Sequence, residues 1–378
     1  MKKKKKIAFY IGSLTKAGAQ RVIINLTGAL LTKGHQVVLV TTAKEEDEYS
    51  PPQGAIRIIS DLTREETGTD RVQNFKKRFA KLRNIWKKEK PDVVISFIGK
   101  NNIMAILTAF GLNIPVLVSV RGEPTEEYYS RLLRICARQL FPLAAGIILQ
   151  TEDSKAFFPA KVVKKAVVLP NPLNPAFLKN QGRKGKGERE ESHSYTVNRK
   201  KTIIMVGRID ANKNQKLVID SFGRLAEDFP DCQLEIWGEG DKRQNLISYV
   251  EALGLEGRIC LPGATGEVKE KLEAAQIYVL SSNTEGMPNS LMEAMALGLP
   301  VISTDCPCGG PKMLIDHGEN GLLVPVKDVE AMTEAIRQLL EDEDYAHSLG
   351  RKAMEIGEKW SPEEVNRRWE EYILSCCK

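Results

Sequence analysis

Short, predominantly apolar runs recur through the first part of the chain at residues 7–11, 36–41, 56–59, 93–97, 116–120, 146–150 and 167–169. A strand wetted on one face alternates apolar and polar positions. Continuous apolar runs of this length instead predict parallel strands covered on both faces. Between them, apolar residues return at helical spacing over about 19–33, 71–90, 101–110 and 128–141. The pattern stops after Pro170-Asn-Pro172, and the Gly/Lys/Glu/Ser-rich residues 179–201 cannot bury an apolar face, so they read as a linker or mobile loop. It then restarts with strands at 203–206, 233–237, 259–261, 277–280, 301–303 and 321–324. Helices follow at about 213–228, 241–253, 267–275, 290–298, 328–341 and 361–375. The prediction is an α/β chain of two Rossmann-like domains facing across a cleft, at 1–172 and 202–360, joined by 173–201. In such sheets ligands collect at the carboxyl ends of the strands.

Composition narrows this picture. A chain of 378 residues suits two cores better than one. The seven cysteines, among them Cys306-Pro-Cys308, show neither CxxC spacing nor a framework pattern, so reduced thiols are expected and a zinc site is not. The lysines at 2–6 followed by an apolar run imitate a secretory leader. The run is short and Lys16 interrupts it, so a buried first strand is expected. The uncharged stretch 101–120 reaches spanning length, yet Asn101, Asn102 and the Gly111-Leu-Asn-Ile-Pro115 turn split it, and no transmembrane segment is read. Charge is uneven. Residues 1–172 hold 29 Lys and Arg against 15 Asp and Glu, a balance of +14, while residues from 202 onward hold 18 against 31, or −13. The first domain is therefore expected to face something anionic.

The chemistry gathers in predicted strand-end loops. Glu285-Gly-Met-Pro-Asn289-Ser-Leu-Met-Glu293 follows an apolar strand and opens a helix. With Asn289 or Ser290 as cap, the helix N-terminus offers backbone N–H groups to a phosphate, flanked by two carboxylates placed to accept from hydroxyl groups. Ser290-x-x-Glu293 also fits a capping box, a reading as strong as ligand binding for Glu293 alone; Glu285 has no such explanation. Gly207-Arg208 and Lys213 follow the first strand of the second domain, two cations suited to a departing diphosphate. Gly238-Glu-Gly240 is a close-approach turn, a weak signal alone. The Gly12–Gly18 loop lacks GxGxxG spacing and an acidic residue after the second strand, which disfavours a nicotinamide site. It is read as a glycine loop that meets a phosphate or sugar.

Together, Gly207-Arg208 with Lys213, Gly238-Glu-Gly240, Glu285 and Glu293 eight positions apart, and Asn320-Gly-Leu-Leu-Val-Pro325 resemble the family 4 retaining glycosyltransferases of GT-B fold. Gly18-Ala-Gln-Arg21, Pro170-Asn-Pro172 and Thr304-Asp-Cys-Pro-Cys-Gly-Gly310 are similar to members that build bacterial surface polysaccharides. The resemblance spans nearly the whole chain except 180–200. It implies that Glu293 holds the ribose, Glu285 meets the donor sugar, and Arg208 and Lys213 hold the diphosphate. Gly207, Gly238, Gly263, Gly286, Met287, Pro288, Asn289, Ser290 and Leu291 would line the donor site. Gly18, Ala19, Gln20 and Arg121 would stand on the acceptor or phosphate side, Arg121 where many members have a His. The helix at 361–378 would cross back to the first domain. The implied reaction moves a hexose or N-acetylhexosamine from a nucleotide diphosphate sugar, UDP-linked by preference, to a lipid-linked or polysaccharide acceptor. Front-face substitution is preferred over a covalent double displacement, and no cofactor or metal is called for. The triplet Asp342-Glu343-Asp344 is read as a solvated turn capping the next helix.

Two further readings concern partners. Val72, Phe75, Phe79, Leu82 and Trp86 form one helical stripe amid Lys76, Lys77, Arg78, Lys81, Arg83, Lys87 and Lys88. An ordinary packed helix explains the stripe. Arg131, Arg134 and Arg138 on a second helix, with the lysines at 2–6, nevertheless favour peripheral attachment to the inner, cytoplasmic face of an anionic membrane. Nucleic acid is not expected, since no known module or interleaved exposed aromatics accompany the charge. The competing enzyme class is a nucleotide-sugar epimerase, which needs acids and bases in the first domain. A non-catalytic sugar-nucleotide sensor is the third reading.

Overall fold

The computed structural model describes residues 4–178 and 201–377, so most of the expected linker, residues 179–200, lies outside the described residues. The chain divides into two compact units, the first comprising 1–172 with 363–378 and the second 173–362. In the first unit the strands are β1 (Lys6–Ile11), β2 (Gln36–Thr41), β3 (Ile56–Ile59), β4 (Val93–Phe97), β5 (Val116–Ser119), β6 (Gly146–Leu149) and β7 (Ala166–Val168). They form a sheet in the order β3-β2-β1-β4-β5-β6-β7, parallel at every pairing. In the second unit β8 (Thr202–Val206), β9 (Gln233–Trp237), β10 (Ile259–Gly263), β11 (Ile277–Leu280), β12 (Val301–Thr304) and β13 (Leu322–Val324) pair in parallel in the order β10-β9-β8-β11-β12-β13.

The continuous apolar runs are thus explained: every residue of β4, β5, β6, β11 and β12 is buried. Alternate residues serve opposite faces of the sheet. Ala8, Tyr10, Val38, Val94, Val118 and Ile147 share one core with Leu82 and Trp86. Phe9 and Phe97 point the other way, and Phe97 stacks on Trp369 of the last helix, Pro362–Cys376, at 6.0 Å between ring centroids. That helix packs in the first unit: the Trp369 indole N–H donates to Pro170 O at 2.9 Å, and Glu370 pairs with Lys33 and His35. β10 runs two residues past the expected 259–261, through Pro262, which an edge strand tolerates because its outer N–H needs no partner.

Helices differ from expectation in places. The stretch predicted at 128–141 begins at Arg131, where Ser130 Oγ accepts from Leu133 N at 3.2 Å and stops it extending backward. The basic helix Arg71–Glu89 buries Leu82 and Trp86, but leaves Val72 and Phe75 exposed, so only half of its apolar stripe packs. Gly310–Leu314 and Ile356–Lys359 are helices that the spacing did not reveal. No helix among the described residues is long and apolar enough to cross a membrane.

Candidate functional site

Both sheets reverse strand order beside their first strand, and loops leaving the strands on either side of such a switch point enclose a crevice at the carboxyl ends. In the second unit the switch lies between β8 and β11. The loop after β8 carries Gly207, Arg208 and Lys213, and the loop after β11 carries Glu285. Lys213 Nζ forms an ion pair with Glu285 Oε1, both side chains largely buried, and Ser282 Oγ donates to the same oxygen at 2.6 Å. Two residues distant in sequence and expected to act on one ligand are therefore in direct contact.

The loops are braided by groups that the sequence did not single out. Asp210 Oδ1 accepts from Asn212 N at 3.0 Å and Lys213 N at 2.9 Å, turning the chain, while Oδ2 accepts from Arg208 Nε. The rest of the Arg208 side chain is open, 70% exposed. Asn212 pairs with Thr284 through both ends of its amide: Nδ2 donates to Thr284 O at 3.0 Å, and Oδ1 accepts from Thr284 N at 3.0 Å and Oγ1 at 2.9 Å. Ser281 Oγ donates to Lys213 O at 2.9 Å. Asn214 adopts the left-handed conformation and starts the helix Gln215–Gly223. Among residues other than glycine, Asn is one of the few that enter that region readily.

The glycines hold the loops at close range. A Cβ on Gly238 would lie 1.8 Å from Gly207 O, and one on Gly310 would lie 1.5 Å from Gly286 O. Gly263 is required for a different reason: its φ of +103° is one that residues with a side chain rarely adopt. The Thr304–Gly310 stretch underpins Glu285: Glu285 N donates to Pro307 O at 3.1 Å, and Thr304 Oγ1 donates to Ser282 O at 2.6 Å. Burial, with Glu285 nearby, pushes the Cys306 thiol up to about 12, so it stays protonated.

The helix expected at 290–298 spans Asn289–Ala296, with Pro288 as its N-cap. The anticipated cap by Asn289 or Ser290 does not form. Both lie inside the first turn, and Pro288 has no side-chain group that can cap. The capping box fails for the same reason, and Ser290 Oγ instead accepts from Tyr278 OH at 2.7 Å. Glu293 and Leu291 are buried, as are Gly286, Met287 and Pro288 ahead of them.

In the first unit Gly18, Ala19 and Gln20 form the first turn of the helix Gly18–Thr32, and Gln20 Nε2 donates to Thr15 Oγ1 at 3.3 Å. Arg121, expected to meet a sugar or phosphate, packs within the first unit. Its guanidinium lies over the Phe97 and Trp369 rings, 5.3 and 5.6 Å from their centroids, and Nη2 donates to Asn171 Oδ1. Burial lowers it to about 9. Glu127, which the sequence gave no reason to select, accepts from the backbone N–H groups of Gly99, Arg121 and Gly122, and burial pushes it up to about 7. It ties the turn after β5 to the strained exit from β4, where Ile98 sits at φ +71°. Among the described residues no three His, Cys, Asp or Glu side chains cluster as a metal site.

Doubly wound sheets take their ligands at such switch points, which makes these loops the candidate site. Comparison with known proteins makes this specific. Residues 17–177 match the family described as Glycosyltransferase Family 4, and residues 188–356 match Glycosyl transferases group 1. A relative in Campylobacter jejuni is 27% identical over 96% of this chain and 97% of its own. It is named GalNAc-α-(1→4)-GalNAc-α-(1→3)-diNAcBac-PP-undecaprenol α-1,4-N-acetyl-D-galactosaminyltransferase. Among solved structures, Anabaena HepE in complex with UDP and glucose superposes with a TM-score of 0.81 over 98% of this chain and 100% of its own, at 17% identity. Sucrose-phosphate synthase from Thermosynechococcus elongatus does so with 0.79 over 98% of each, at 19% identity. The chain belongs to the family 4 glycosyltransferases and has the GT-B fold.

Proposed function

We propose that this glycosyltransferase moves a hexose or N-acetylhexosamine from a nucleoside diphosphate sugar to a lipid-linked oligosaccharide or polysaccharide acceptor, with the anomeric configuration retained. The observation that carries the reading is the Lys213–Glu285 pair at the switch point of the second unit, with Arg208 on the same loop and Glu293 buried one turn into the following helix. Uridine is the favoured base, in keeping with the UDP named for HepE. The acceptor class follows the undecaprenol-diphosphate glycan in the name of the Campylobacter relative.

In this reading Arg208 and Lys213, with the N-terminus of the helix Asn289–Ala296, meet the diphosphate and stabilise the charge that grows as it leaves. Glu285 then orients the donor sugar and Glu293 the ribose. The acceptor hydroxyl attacks the anomeric carbon from the face the diphosphate is leaving, and its proton passes to the departing phosphate oxygen. These cations replace a divalent metal. The enzyme would act on the inner face of the membrane.

The test incubates the protein with a panel of nucleotide sugars and polyprenyl-diphosphate-linked glycans, and the product linkage is read by NMR. An α-linked product from an α-linked donor is expected. An inverted linkage would remove the front-face mechanism. An isomerised donor without transfer would return the epimerase reading, and binding without turnover the sensor.

A further inference from the structure

Large apolar side chains open to solvent are concentrated in one part of the molecule. Among the described residues, every large hydrophobic that stands exposed, except Leu253, belongs to the first unit. Val72 and Phe75 lie one turn apart near the start of the helix Arg71–Glu89. Phe110 follows the helix Gly99–Ala109. Tyr129, Leu132 and Ile135 lie before and along the helix Arg131–Leu140. The middle helix packs against both of the others, so the three lie side by side. Leu132 and Ile135, 69% and 50% exposed, share the outward arc of their helix with Arg131, Arg134 and Arg138.

Positive charge predominates along the three helices, although Asp61 and Glu66 pair with Arg78 and Lys81 of the first and Glu126 is exposed just ahead of Tyr129. Residues 71–88, 93–122 and 128–151 contain no Asp or Glu. Arg134 and Arg138 are held by backbone carbonyls of Tyr128 and Phe157, which fix the side chains without neutralising them. Lys100 lies over the Tyr129 ring at 5.8 Å. Exposed aliphatic residues within a fixed cationic fringe match the boundary of an anionic bilayer, where apolar side chains enter below the headgroups and cations meet the phosphates. A second copy of the chain fits poorly, because two such faces would bring like charges together. A nucleic acid fits poorly too, because leucine and isoleucine offer bases no stacking surface.

We infer that the face formed by these three helices docks on an anionic lipid bilayer, with Leu132 and Ile135 entering the headgroup region and the arginines of the same helix lying at the phosphates. The inference rests on the proposed lipid-linked acceptor for its context, but its test needs no turnover. The full chain is floated with vesicles of phosphatidylglycerol and phosphatidylethanolamine, or of phosphatidylcholine alone, at low and high salt, beside Leu132→Ser/Ile135→Ser. Thermal melting reports the fold and sedimentation velocity the oligomeric state. Wild type should bind the anionic vesicles and be released by salt. The double variant should partition at least about tenfold less, with an unchanged melt. Should that variant melt early, Val72→Ser/Phe75→Ser on the neighbouring helix gives the same reading. Wild-type binding indifferent to lipid charge, undiminished binding by the folded variants, or loss of self-association in their place would each overturn the inference. Vesicle binding by a protein that transfers no sugar would leave it standing and sink the functional reading instead.

Discussion

At the scale of single residues, Asn212 sets the relation between the two loops that carry Lys213 and Glu285. Asn212→Ala would leave the N–H and C=O of Thr284 without their amide partners, worth roughly 1–3 kcal/mol. We expect transfer efficiency to fall by about one to two orders of magnitude, with a stability loss no larger than that energy. Transfer at the wild-type rate would show that the loops keep their geometry unaided. Glu293 poses a different question. The capping box that competed for it is absent, because Ser290 is inside the helix and bonded to Tyr278. Glu293→Ala is expected to weaken nucleotide binding by roughly 1.5–3 kcal/mol, the worth of a charge-assisted hydrogen bond. Calorimetry that finds unchanged affinity in the folded variant would assign Glu293 to the core. Lys213 and Glu285 were legible in the sequence because each sits in a loop at the end of an apolar strand. Asn212, Ser282 and Thr304 were not, because a supporting hydrogen bond leaves no spacing signal. The packing of Arg121 was not legible, because its companion Trp369 lies far along the chain.

Among the elements, strands were the easier to read. Parallel strands buried on both faces are predominantly apolar, and 93–97 and 277–280, buried along their whole length, begin and end as expected. The strands 36–41, 56–59 and 233–237 also match their expected bounds, although the last two are only partly buried and carry Arg57 and Glu235. Helix ends depend on single capping groups, and there the readings drifted by a residue or more. The basic helix shows a second limit: periodicity marks which residues share a face, not whether another element covers it, and Val72 and Phe75 are left open. One element bears on chemistry. Asp342 caps the helix Glu343–Ala353, its Oδ1 accepting from Tyr345 N at 2.8 Å, so its carboxylate is engaged in starting that helix while its backbone N–H closes the preceding one on Gln338 O. Transfer should therefore survive exhaustive chelation and the change Asp344→Asn. Activity lost to the chelator and restored by magnesium or manganese would contradict this and direct attention back to the Asp342–Asp344 triplet.

At the scale of the whole molecule, the chain leaves the first unit at Pro172 and returns to it at Glu363, so that unit is complete only when its last sixteen residues have been made. The returning helix brings a dense set of contacts to one face of the first sheet. Val365, Trp369 and Ile373 are fully buried, Trp369 stacks on Phe97 and bonds to Pro170, and Glu370 takes Lys33 and His35. Arg121 lies over both stacked rings and reaches Asn171, so β4, β5, the Pro170-Asn-Pro172 segment and the helix share one cluster. The helical spacing of 361–375 could be read early, and the resemblance implied where it packs; the cation held by its tryptophan could not. Removing a buried indole costs about 3–5 kcal/mol through lost transfer and the cavity left behind. A domain is typically stable by about 5–15 kcal/mol, so Trp369→Ala should bring the first unit near its unfolding threshold at moderate urea. The second unit shares no residue with this cluster, so it should unfold as before and keep nucleotide affinity. Urea titrations following fluorescence and nucleotide binding together should therefore separate into two transitions in the variant. A single transition at the wild-type midpoint would mean that the helix is a passenger on the first unit rather than part of its core.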